Sequence, residues 1–555
     1  MTSPKPANLA TVWEEIADRI PDEVALVHGG TRLTWRQFED RAARLASAFQ
    51  AAGLGAGARV AIDLYNCPQW LEAFFAAIKI RAVPANVNYR YLDQELLHLL
   101  TDCGAEAIVY HASFEGRIAR LKPHLANVAL FVQVNDLTEI SGVSGDKEHS
   151  FKWAREYELL LAGNEPAVRM ERSSDDQFLA YTGGTTGLPK GVIGNLGRAG
   201  RALAALAPTL GITHEQAIDP PATAEKMAAD KMRFRSLPAS PLMHATGFQM
   251  TALPTLTFGG TVVTLESHSF NARELLDTLD RERVRMVAIV GDAIGRPFAN
   301  ALRDAAAEGR GYNLPCLELI SSAGVAFSAD VKTQLLEYLP RVRLFDSCGT
   351  SEGCTYGFRT YRKGDTLSGT NFMPTQGLLL LDGEGNSHRP VPGTAGILAA
   401  TTTAAGYYND PEKTARTFRL INGTPYVIPG DYGRIEDDGS LTLLGRGSTT
   451  INTGGEKVHP EEVEDVIKDV SGIDDCLVLG LPDDRWGQCV TALVQRSMDR
   501  QGADVTEEMV ISRVHGTLAN YKAPKHVFFI AKIPRGPNGK PDYVQARKIA
   551  DQLLG

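Results

Sequence analysis

Apolar positions along the chain follow two alternating rhythms. Segment 35–52 (WRQFEDRAARLASAFQAA) repeats them at helical spacing, with Thr34 standing before it as an N-cap. Segment 59–64 (RVAIDL) then brings a short β-branched run of strand type. This exchange occupies residues 9–110 and continues through apolar runs at 284–290, 317–321 and 342–345, each beside helical sequence. It predicts an α/β fold with largely parallel sheets. Residues 211–236 break the rhythm, because the pair Pro220 and Pro221 and the mixed charge predict an irregular surface insertion.

The register changes near Gly445, Arg446 and Gly447. Before it, apolar runs at 433–435 and 440–444 flank Asp437, Asp438 and Gly439, a strong hairpin signal. After it, Pro460 suits a first helical position and Glu461 and Glu462 suit the positive helix end. Val463, Ile467 and Val470 then share one helical face. The chain therefore divides into a large body, 1–446, and a C-terminal domain, 447–555, of ordinary domain size.

Composition narrows the function classes. The 555 residues are 43% hydrophobic and 22% charged, with a mean hydropathy of -0.15. The net charge of -9 offers no basic face for nucleic acid. No apolar run is long enough for a transmembrane segment, and the N-terminus shows no signal peptide. Seven cysteines, at 67, 103, 316, 348, 354, 476 and 489, contain no C-x-x-C pair. Their odd number argues against a disulfide framework and makes the chain cytoplasmic by default. The twelve histidines show no zinc-type spacing with them.

The segment YTGGTTGLPKG (181–191) carries the first chemistry. Gly183, Gly184, Gly187 and Gly191 let backbone N–H groups turn towards an anion. Thr182, Thr185 and Thr186 add hydroxyl donors, and Lys190 adds a positive charge. Pro189 and Gly191 on either side of the lysine exclude a Walker A loop, as Pro541 after Lys540 does for GK at 539–540. The pattern predicts phosphate binding of another kind.

That loop resembles the phosphate signature of the adenylate-forming superfamily, which includes acyl-CoA synthetases, adenylation domains and beetle luciferases. Further resemblances follow in order: PLMH (241–244), DSCGTSE (346–352), GYYNDPEKT (406–414), GDYG (430–433), Gly445 with Arg446, GGEKVHPEEVE (454–464) and PRGPNGK (534–540). The segments at 291–297, 445–452 and 539–543 further resemble actinobacterial ligases that activate steroid side-chain carboxylates.

The resemblance implies a multi-subdomain N-terminal body, with helix-flanked β-sheets and a small β-barrel-like part, followed by a small mobile α+β C-terminal domain. It implies that ATP activates a carboxylic acid as its adenylate and that coenzyme A takes the acyl group. Thr182, Gly183, Gly184, Thr185, Thr186 and Lys190 would hold the β- and γ-phosphates. Glu352 would ligate Mg²⁺, Ser351 would contact the α-phosphate, and Gly324, Gly349 and Thr350 would border the nucleotide. Asp346 would face the adenine amino group, and Asp431 with Arg446 would take the ribose.

Lys540 would be the catalytic lysine of adenylation, leaving before thiol attack as the small domain turns about Ser448. Gly454, Gly455 and Glu456 would border the thiol passage. His244 joins the catalytic set as a wall or gate of the acyl pocket, whose shape is expected from residues near 244–250, 291–297, 322–326 and 349. Cys348 departs from the family, which usually stacks an aromatic ring on adenine here. It is read as a small polarisable surface rather than a nucleophile. A bulky steroid or terpenoid acid is the expected substrate, and a homodimer the expected assembly. Loading of a separate carrier protein, fatty acyl activation and a non-catalytic nucleotide-binding role stay open alternatives.

Overall fold

The computed structural model describes residues 8–136, 153–183, 188–197, 207–324, 327–367, 371–382, 385–446, 451–458, 460–497, 504–534 and 543–554. Helix Trp35–Ala51 forms where its pattern predicts. Thr34 and Gln37 cap it reciprocally, and Trp35, Phe38, Ala42, Leu45, Ala46 and Phe49 turn one buried stripe inward. That stripe meets helices Leu9–Arg19 and Pro68–Lys79 around Trp13, whose ring lies 6.0 Å from Phe38 and 5.1 Å from Phe75. Each such buried aromatic contributes roughly 1.5–3 kcal/mol through burial.

Three sheets form among the described residues. The first runs parallel through Val24–His28, Thr261–Thr264, Arg235–Pro238, Met286–Ile289, Leu319–Ser322 and Arg343–Thr350. It continues antiparallel through Cys354–Tyr361, Asn371–Pro374, Leu441–Arg446 and Asp431–Ile435. The second carries the parallel strands Val83–Asn86, Arg59–Asp63, Ala107–His111 and Leu130–Val134, and its antiparallel margin holds Gln177–Gly183 and Pro189–Asn195. The third consists wholly of residues after 450 and is mainly antiparallel. This is the expected large body with a smaller C-terminal domain. No described helix is long and apolar enough to cross a membrane.

The predicted hairpin forms from Asp431–Ile435 and Leu441–Arg446, and Gly439 turns it at φ +80°. Helix Pro460–Lys468 starts on its proline, with Val463, Ile467 and Val470 buried. The irregular insertion expected at 211–236 needs correction, because helix Pro220–Ala229 occupies its centre. Asp219 caps that helix through the Ala222 N–H, and both prolines occupy its first turn, where no intrahelical N–H is needed. The domain boundary and Ser448 fall on 447–450, outside the described residues.

Candidate active site

Strands Gln177–Gly183 and Pro189–Asn195 form a hairpin that places Thr182 opposite Lys190 and Gly183 opposite Pro189. The tip, with Gly184, Thr185, Thr186 and Gly187, lies outside the described residues. Behind the tip the hairpin is firmly seated. Asn86 accepts the Tyr181 N–H at 2.6 Å, and Tyr181 Oη donates to Asp102 at 2.6 Å. Gly191 permits this seat, since a Cβ there would sit 2.9 Å from the Tyr181 ring. Lys190 Nζ donates to Asp410 Oδ2, and that bond holds the Asp410 carboxyl below its ordinary range.

A cavity of about 290 Å³ opens beside the hairpin. One end is apolar, walled by Trp70, Phe74, Phe178, Leu242, Phe248 and Leu253. The other is polar and small-residue rich, with Thr182, His244, Gly324, Ser347, Gly349, Thr350 and Ser351. Phe248 and Gln249 belong to a single π-helical turn, Phe248–Ala252. Such turns displace side chains from α-helical register and frequently mark functional walls. Residues 322–326 contribute Ala323 and Gly324 to the wall, whereas 291–297 do not reach it. Those residues instead start helix Gly291–Ala307, where Arg296 bonds Asp292, Asp330 and the Asp484 carbonyl.

The predicted residues separate into wall and supports. Cys348 lines the cavity, its Sγ 3.5 Å from the Gly357 carbonyl, and burial pushes its thiol pKa up. Asp346 stands behind the wall, 2% exposed, with Oδ2 accepting from Lys332 Nζ at 2.7 Å. Burial raises its pKa to about 6 against the opposing pull of Lys332. Its Oδ2 is therefore engaged by Lys332. Glu352 is 7% exposed and accepts from Tyr407 Oη at 2.7 Å. Asp431 accepts from Tyr356 Oη at 2.7 Å, and in the register of its hairpin it faces Arg446.

The C-terminal domain reaches the same cavity. Strands Ile451–Thr453 and Glu456–Val458 form a tight hairpin whose turn, Gly454 and Gly455, has positive φ at both residues. Gly455 and Lys457 line the cavity. A Cβ on Gly455 would lie 2.7 Å from Val290, and one on Gly454 would lie 2.6 Å from the Trp486 ring. Only glycine lets the turn approach so closely. Glu456 crosses to the body, accepting from Arg90 at 2.9 Å and Asn88 at 3.3 Å and lying 3.0 Å from His244 Nε2. Burial works to raise its pKa, yet His244 and Arg90 hold it down at about 2. A second buried contact joins Lys522 to Glu95 of the body at 2.6 Å and to Glu462 at 2.7 Å. Lys540 lies outside the described residues.

Sequence reasoning did not find Tyr356 or Arg90, nor the aromatic wall of Trp70 and Phe74, and it gave Tyr407 no role although a recognised segment contains it. Asp410 lay inside a recognised segment, but nothing in the sequence tied it to Lys190.

A model of the family described as AMP-binding enzyme matches residues 13–408, and one described as AMP-binding enzyme C-terminal domain matches 462–540. A 3-oxocholest-4-en-26-oate–CoA ligase of Rhodococcus rhodochrous is 37% identical over 547 residues, covering 97% of this chain and 95% of that protein. A medium/long-chain-fatty-acid–CoA/3-oxocholest-4-en-26-oate–CoA ligase of Mycobacterium tuberculosis is 36% identical, covering 98% and 96%. Among solved structures, an amide bond synthetase from Marinactinospora thermotolerans superposes with a TM-score of 0.77 at 23% identity, covering 98% and 99%.

Proposed function

Because this chain belongs to the AMP-binding enzyme family, we propose that it joins a bulky apolar carboxylic acid to coenzyme A in two steps at one cavity. It is an ATP-dependent acyl-CoA ligase, an acid–thiol ligase like its curated relatives. In the first step a carboxylate oxygen attacks the α-phosphorus of ATP, and the bond to the bridging oxygen of the β-phosphate breaks, releasing pyrophosphate. In the second the thiolate sulfur of coenzyme A attacks the acyl carbon, and the acyl–oxygen bond breaks, releasing AMP.

Bringing a carboxylate to a polyphosphate demands charge neutralisation and fixed geometry. Thr182 and Lys190, with Thr185 and Thr186, hold the outer phosphates, and Asp410 keeps Lys190 placed until they arrive. Gly349, Thr350 and Ser351 border the α-phosphate and base. Asp431, steadied by Tyr356, takes the ribose hydroxyls beside Arg446. The buried Glu352 carboxylate suits a hard cation, and we assign it as the Mg²⁺ ligand. Bound there, the ion supplies positive charge to the phosphates. Lys540 bridges carboxylate and α-phosphate in the first step, while Gly454 and Gly455 border the thiol's path in the second. Seven free cysteines fit a reducing compartment, and we place the enzyme in the cytoplasm.

The observation that carries the substrate reading is the aromatic chamber joined to the polar turn at 349–351. The aromatic side chains of Trp70, Phe74 and Phe248 make an apolar wall suited to a bulky hydrocarbon skeleton, and both curated relatives described above have a steroid acid in their names. A second reading, a medium- or long-chain fatty acid, is supported by the other acid in the name of the Mycobacterium tuberculosis protein. Steroid, diterpenoid, aryl and fatty acids are to be incubated with enzyme, ATP, Mg²⁺ and coenzyme A, and thioesters detected by mass. The expected result is a higher kcat/KM for a polycyclic acid than for palmitate. Far more efficient turnover of palmitate would overturn the polycyclic reading. Adenylate formation without any thioester would point to a carrier-protein acceptor.

A further inference from the structure

Away from the cavity, where the two large sheets meet, two histidines and a carboxylate converge. His111 ends strand Ala107–His111 and Asp136 follows strand Leu130–Val134, both in the second sheet. His268 follows strand Thr261–Thr264 of the first. Asp136 Oδ1 lies 3.2 Å from His111 Nε2 and 3.0 Å from His268 Nε2, and all three atoms fall within 4.8 Å of one another.

Both rings are held from behind. His111 is 5% exposed, with Nδ1 2.8 Å from Ser113 Oγ. His268 stacks on Tyr65, centroids 4.0 Å apart and planes within 8°. A small cavity of about 20 Å³ beside them is also lined by His28 and Cys67. That is room for about one water-sized group.

We propose that His111, Asp136 and His268 bind a divalent transition-metal ion of the zinc class, which fastens the two sheets together. Two imidazole nitrogens with one carboxylate oxygen make a donor set suited to zinc, whereas Mg²⁺ and Ca²⁺ prefer oxygen alone. Without an ion, His111 Nδ1 accepts the Ser113 N–H at 3.2 Å, and an ion at Nε2 moves the ring proton to Nδ1, where Ser113 Oγ at 2.8 Å can accept it. An ion of this class sits about 2.0–2.2 Å from each donor atom, and the exposed Asp136 and His268 side chains are free to adjust to it. Water fills the fourth position. The spacing 111, 136, 268 hides this set from any reading of local motifs.

The test uses the full chain without a histidine tag, stripped by chelator dialysis and titrated with Zn²⁺ by calorimetry and thermal unfolding. Co²⁺ serves as a visible reporter of coordination. The expected result is one equivalent bound at micromolar concentration or below, with a rise in Tm. His268→Gln and Asp136→Asn each weaken binding at least about tenfold and abolish the Tm rise. Both residues are exposed enough to be replaced without opening the core, so His111 need not be touched. No saturable binding, or equal affinity in parent and both variants, overturns the site and leaves a hydrogen-bonded triad.

Discussion

Tyr356 and Tyr407 each steady a carboxylate at the proposed nucleotide site, through 2.7 Å hydrogen bonds to Asp431 and Glu352. A hydrogen bond to a charged group contributes about 1.5–3 kcal/mol. Tyr356→Phe is therefore expected to raise KM for ATP by about tenfold while kcat stays within about threefold, a loss of ground-state binding measurable by steady-state kinetics. Cys348 has the opposite character, because its buried thiol has no activating partner among the described residues. Cys348→Ala should leave ATP–pyrophosphate exchange within about threefold of the parent, and a hundredfold loss would make the thiol functional. Motif residues that line the cavity, such as Thr182, Gly349 and Ser351, were legible because each sits in a short segment with its own chemistry. The two tyrosines were not, because they act on partners 75 and 55 positions away.

At the scale of elements, the hairpin of Ile451–Thr453 and Glu456–Val458 carries a carboxylate into a basic recess of another domain. The Glu456 pKa is depressed from its ordinary 4.5 to about 2, so the stability it contributes is fully present above pH 4.5. That contribution, on the order of 3 kcal/mol, is lost as pH falls from 4.5 towards 2. Glu456→Gln should flatten this acid limb in denaturation curves taken between pH 6 and 2, and an unchanged limb would remove Glu456 from the joint. Helices and strands were largely legible from periodicity, as Trp35–Ala51 and Arg59–Asp63 show. Helix Pro220–Ala229 was not, because two prolines punctuate a chain equally well at a loop and at a first helical turn. The wall formed by Trp70 and Phe74 was illegible for another reason. The same spacing that lines a cavity also serves a core, and only the tertiary arrangement separates them.

At the scale of the whole molecule, two half-reactions share one cavity. In this structure the C-terminal domain offers that cavity Gly455 and Lys457. We assign the described arrangement to thiol transfer and a second, with Lys540 inward, to adenylation. Two opposed variants test the division. Lys540→Ala should abolish adenylate formation, with at least about a hundredfold loss, and largely spare transfer from a presynthesised adenylate. Gly455→Leu should do the reverse, because its side chain collides with Val290 in the described arrangement. Retained adenylation by the glycine variant shows that it folds. Equal loss of both half-reactions in either variant would overturn the assignment.

The contacts that hold the C-terminal domain in place include Glu456 with Arg90, Lys522 with Glu95, and Arg296 with the Asp484 carbonyl. Fasteners of this kind have a consequence beyond catalysis. When they part, water hydrates the released charges, and these patches leave no sticky surface for neighbouring molecules. A clasp made of leucines would invite aggregation at every turnover. A polar clasp suits a joint that must part and close again, and because Lys522 and Glu95 are buried while it is shut, salt screens them little until it opens.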